Sequence, residues 1–78
     1  MNARTRRSKL VFHIDNRLGR ERRNEIELAL AEKQGVSAAR FNERRIHLLL
    51  VEYDPDVTSS FDLMDRVRRQ NVNVQRVA

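Results

Sequence analysis

The spacing of apolar residues changes period along this chain in a fixed order, and that order leaves few folds open. Leu10, Phe12 and Ile14 alternate with Lys9, Val11 and His13, the period of two that marks a strand. From about Gly19 to Gln34 the spacing turns helical, with Ile26, Ala29, Leu30 and the stem of Lys33 on one side. Gly35 supplies the terminator. A second strand, Val36 to Asn42, carries Val36, Ala39 and Phe41, and NERR makes a short turn. The run RIHLLLVEYD is the third and most apolar strand, which argues for a central place with much of both faces covered. Pro55 ends it. Ser59 and Asp62 have the spacing of a capping box, opening a helix whose apolar face is Phe61, Met64 and Val67 with Leu63 beside them. Asn71 closes that helix, and VNVQRVA alternates as a last short strand.

The order is β-α-β-β-α-β. With short connections and right-handed crossovers it gives a ferredoxin-like α+β sandwich, a four-stranded antiparallel sheet with two helices on one face. Seventy-eight residues suit one domain. Residues 1–8 read as a basic, flexible arm and residues 9–78 as the domain. The chain has no cysteine, which excludes disulfides and thiolate metal sites. No apolar run approaches the roughly 20 residues that span a bilayer, so membrane insertion is not expected. LVFHI, after the basic start, is shorter than the roughly 7–15 apolar residues of a signal peptide. A cytoplasmic location is the expectation.

Charge is unevenly placed. Residues 1–23 hold eight Lys and Arg against Asp15 and Glu21, a balance of +6, and the remainder balances at −1. Arg17, Arg20, Arg22 and Arg23 crowd the start of the first helix around Gly19, where the backbone dipole prefers acids. Such a corner suits an acidic protein surface or a small anion at the helix N-terminus. The plain alternative is a solvated face partly neutralised by Glu21, Glu25 and Glu27.

Two stretches carry a family resemblance. IELALAEKQGVSAARFN resembles the heavy-metal-associated domain of copper chaperones and metal-pumping P-type ATPases, through Ile26, Glu27, Ala29, Leu30, Gly35, Val36, Phe41 and Asn42. VEYDPD is similar to that family's Val-x-Tyr-Asp-Pro, through Val51, Tyr53, Asp54 and Pro55. The resemblance spans about residues 9–77 and implies the same fold. The family holds soft metal in a Met-x-Cys-x-x-Cys loop. Counted back from Ile26, the cysteine positions fall on Gly19 and Arg22, and the methionine position falls near Arg17. Glycine offers no ligand, and a guanidinium stays protonated. The resemblance therefore implies a degenerate form without soft-metal coordination, and no cofactor is expected.

Other chemistries find less support. His13, Asp15 and His47 are the candidate metal ligands, the histidines lying on strands taken as parallel neighbours; two histidines without a third ligand make a poor zinc site. An enzyme is not expected, because there is no Ser-His-Asp spacing, P-loop or nucleotide glycine fingerprint. Asp54 and Asp56 read as turn chemistry around Pro55. Nucleic-acid binding is the alternative from another class. However, Phe12, Phe41, Tyr53 and Phe61 form no RNA-recognition motif, and charge alone supports only salt-sensitive phosphate contact. If helices cover one face of the sheet, Val11, Ile46, Leu48 and Leu50 are left on the other, suiting a homodimer through the sheet or a partner packed there. The sequence thus reads as a non-catalytic docking or regulatory module of the heavy-metal-associated type, linked to a metal-transport system.

Overall fold

Six elements form in the expected order: β1 (Ser8–Ile14), α1 (Arg20–Ala31), β2 (Val36–Phe41), β3 (Leu48–Tyr53), α2 (Ser60–Arg68) and β4 (Val74–Arg76). The computed structural model describes residues 7–78. Residues 1–6 of the expected arm lie outside the described residues, and Ser8 already belongs to β1.

The sheet has the order β2-β3-β1-β4, with every neighbouring pair antiparallel. The strand reading that made β1 and β3 parallel is corrected by this topology. The β1–α1–β2 crossover leaves a one-strand gap, and β3 returns from its hairpin with β2 to fill it, antiparallel to both.

Register explains the core. Phe12 faces Leu49, which faces Phe41; Leu10 faces Val51, which faces Ala39; and Ile14 faces Val74. These rows lie under the helices, where Ile26 and Leu30 of α1 meet Leu63 and Val67 of α2. Each fully buried aliphatic or phenyl side chain contributes about 1.5–3 kcal/mol of transfer free energy. A register shift between Val36 and Ala38 lets Val36 and Ala39, three residues apart, both pack on this core.

Four sequence expectations shift. Helix α1 ends at Ala31 rather than Gln34, because Gly35, at φ 96°, lies in a turn whose carbonyl accepts from the Asp54 N–H at 2.7 Å. Strand β3 begins at Leu48, since the Leu48 N–H donates to the Arg45 carbonyl at 2.9 Å and keeps Ile46 and His47 in the loop. It is covered on one face only: Leu49, Val51 and Tyr53 are buried, and Leu48, Leu50 and Glu52 lie opposite. Phe61 is 82% exposed, because the α2 stripe is Leu63 and Val67, at i and i+4. The Ser59 hydroxyl does cap α2, accepting from the Asp62 N–H at 3.1 Å, and Asn71 closes it at φ 63°. Among the described residues no helix is long and apolar enough to cross a membrane.

Candidate functional site

The antiparallel register brings the ends of β1 and β2 and the starts of β3 and β4 to one end of the sheet. The β1–α1 loop, the β2–β3 loop and the chain just past α2 therefore meet there. Backbone contacts lock them together: the Ile14 N–H donates to the His47 carbonyl, and the Asp15 N–H to the Asn73 carbonyl. Asn16 returns the second contact, its Oδ1 accepting from the Asn73 N–H at 2.7 Å.

The four arginines of the β1–α1 loop and the first turn of α1 meet different fates at this end. Arg22 is a structural tie. Its guanidinium reaches Glu25 at 2.8 Å and the Gln70 side chain at 3.2 Å, and it also donates to the Gln70 backbone carbonyl just past α2. It therefore supplies a cation where the α2 dipole is negative and carbonyls lack partners. Arg23 turns back to donate to the Leu18 carbonyl at 2.7 Å. Arg17 and Arg20 are exposed, with no side-chain hydrogen bond or ion pair among the described residues. The cost of crowding cations at a helix start is thus partly offset for Arg22 and Arg23 by contacts made elsewhere. For Arg17 and Arg20 it is not.

The β2–β3 loop adds cations that spacing in the first helix does not reveal. Asn42 Oδ1 accepts from the Arg44 and Arg45 N–H groups, both at 2.8 Å, folding the loop so that both exposed arginines sit at the same end of the sheet. The signal was the RR of NERR, read with the hairpin topology. The opposite end carries Glu32, Asp54, Asp56 and Asp62 together with Arg7 and Lys33.

Gly19 is the N-cap of α1, at φ −74° and ψ 172°, and makes no side-chain cap. A Cβ built there meets nothing within 4 Å, so the position holds open space beside the first turn. Glu27 lines the same groove as Arg20 and Arg23. Its carboxylate accepts from the Phe41 N–H at 2.7 Å and so closes that point on the edge of β2.

The three candidate metal ligands are gathered, yet as hydrogen-bonding groups. His13 and His47 stack at 5.6 Å between centroids. His13 Nδ1 lies 2.8 Å from Asp15 Oδ1, and His47 Nδ1 donates to the Ile14 carbonyl at 2.7 Å. Among the described residues no group of three or more His, Cys, Asp or Glu could hold a metal ion. Of the expected face residues, Val11, Leu48 and Leu50 share a concavity on the open side of the sheet. Ile46, in the loop, instead lines the groove beside α1 with Arg20 and Arg23. Phe12, Phe41 and Tyr53 are buried under the helices, which removes them as base-stacking groups on the open face.

No family model matches the chain, and no curated protein matches it. Solved structures do. The N-terminal domain of a potential copper-translocating P-type ATPase from Bacillus subtilis, in the Cu(I)-loaded state, is 27% identical over 91% of this chain and 88% of that one, at a TM-score of 0.82. A copper-binding domain from HMA7, a P-type ATPase, is 18% identical over 90% and 93%, at 0.81. The CopZ metallochaperone is 20% identical over 87% and 100%, at 0.79. The resemblance to heavy-metal-associated domains therefore holds in the fold, on a chain that has no cysteine.

Proposed function

We propose that this chain is a non-catalytic module of the heavy-metal-associated type that has lost soft-metal coordination and docks an acidic protein surface. The observation that carries the reading is the pair Arg17 and Arg20, exposed and unpaired among the described residues at the same end of the sheet as Arg44 and Arg45. Cations that stabilise no neighbour of their own chain are available to a partner, and converging charge raises encounter rates with an acidic one. The similar solved structures are a metallochaperone and domains of P-type ATPases, which supports a setting within a metal-transport system in the cytoplasm. A small anion would use the same guanidiniums.

Affinity capture with the wild-type chain and with Arg17→Glu/Arg20→Glu tests this, the captured protein being identified and titrated against both. The variant should lose binding while melting no lower than the wild type, since an acid suits the start of α1. Equal binding by both would reduce the cluster to a solvated face. Duplex and single-stranded oligonucleotides, titrated at two salt concentrations, separate the nucleic-acid reading.

A further inference from the structure

The β2–β3 loop is a ridge between two concavities. On the helix side lies the groove of Arg20, Arg23 and Ile46. On the open face of the sheet lies a trough with Val11, Leu48 and Leu50 on its floor and Arg40 and Arg44 at its rim, where they outnumber the one carboxylate, Glu43. Register builds the trough. Val11 of β1 faces Leu50 of β3, which faces Arg40 of β2, so an apolar row across the sheet ends in a guanidinium. Leu50 is 40% exposed, and neither rim guanidinium has a hydrogen bond or ion pair among the described residues. Single exposed apolar residues are ordinary; a contiguous apolar floor edged by unpaired cations specifies chemistry.

We propose that this trough docks an extended acidic segment of a partner protein, its apolar side chains at alternate positions seated on Val11, Leu48 and Leu50 and its carboxylates at Arg40 and Arg44. The inference rests on the docking role proposed above and assigns it a second surface. Charge complementarity selects the occupant. Nucleic acid would find no exposed phenyl or phenol ring there to stack on, because Phe12 and Tyr53 are buried and Phe41, at the trough's edge, is only 6% exposed. An extended segment presents apolar side chains every second residue with carboxylates between them, and its carboxylates accept in parallel from a guanidinium fork.

The probe is a fluorescein-labelled peptide of alternating valine and glutamate, titrated with the full chain by fluorescence anisotropy. Saturable binding is expected, weakened at least tenfold by Arg40→Glu/Arg44→Glu and by Leu50→Asp. The lysine-for-glutamate peptide should not bind. Arg17→Glu/Arg20→Glu should leave the peptide affinity unchanged, which separates this surface from the helix corner. Leu50→Thr replaces Leu50→Asp if the latter lowers the melting temperature. No saturable binding, equal binding by Arg40→Glu/Arg44→Glu, or equal loss in Arg17→Glu/Arg20→Glu would each overturn the assignment. So would a dimer in sedimentation that Leu50→Asp dissociates, or an oligonucleotide that binds the trough more tightly than the peptide.

Discussion

Arg20 and Arg22 are two residues apart in one helical turn, and the same substitution should move stability in opposite directions. Arg20 is exposed and unpartnered among the described residues. Arg20→Glu places an acid at the positive end of the α1 dipole, a gain of about 0.3–1 kcal/mol. Arg22→Glu makes the same charge change but removes the bonds to the Gln70 carbonyl and side chain and to Glu25. Hydrogen bonds from a charged donor contribute about 1.5–3 kcal/mol when well shielded. The Arg22 side chain is 35% exposed, so screening lowers that to a net loss of about 1–2 kcal/mol. At about 4–8 °C per kcal/mol for a domain of this size, Arg22→Glu should melt about 4–16 °C lower and Arg20→Glu a few degrees higher. Circular dichroism against temperature, with urea midpoints at unchanged m-value, reads both. If the two variants shift together, or Arg22→Glu melts with the wild type, the tie between α1 and the end of α2 contributes nothing and the division of the arginines fails.

Glu27→Ala removes the acceptor of the Phe41 N–H, so about 1 kcal/mol of stability should go and hydrogen exchange at the Phe41 amide should accelerate. Gly35→Ala should cost more than about 1 kcal/mol, because φ is +96° and the added Cβ would sit 2.9 Å from Val57 Cγ1 and 3.1 Å from Thr58 Cγ2. An unchanged urea midpoint would mean that the turn relaxes freely. A complex made through Arg17 and Arg20 should weaken steeply as salt rises from about 0.1 to 1 M, since the screening length falls from about 10 to 3 Å. Calorimetry at both concentrations measures it, and a salt-independent affinity argues for an apolar contact instead.

Periodicity was legible wherever one face of an element meets the core. Leu10, Phe12 and Ile14 in β1, and Ile26 and Leu30 in α1, all read correctly because burial imposes their spacing. The third strand misled because RIHLLL is apolar at both parities: composition could not show that a turn through Arg45 would delay the strand to Leu48 and carry Ile46 to the groove beside α1. Phe61 misled similarly, because in a nine-residue helix Leu63 and Val67 already define the buried stripe. At the corner, sequence located the arginines and the missing cysteines, but not which cations were free. That depended on Gln70, 48 residues from Arg22, and on a hairpin that carries Arg44 and Arg45 to the same end. Tertiary hydrogen bonds leave no periodic trace.

The claim underneath the proposed function is that a soft-metal corner has become a cationic one on an otherwise kept scaffold. Gly19 is extended and has open space for a side chain, so a thiol is accommodated there. Arg22 occupies the second position on the same turn. Competition for Cu(I) against a coloured chelator, run on the wild-type chain and on Gly19→Cys/Arg22→Cys, addresses the claim directly. The wild type should leave all Cu(I) with the chelator, and the double variant should withdraw one equivalent, since paired thiolates select that ion. One-to-one retention by the wild type would contradict the loss of the site, and failure of a folded double variant to bind would mean that this corner is not the counterpart of the metal loop.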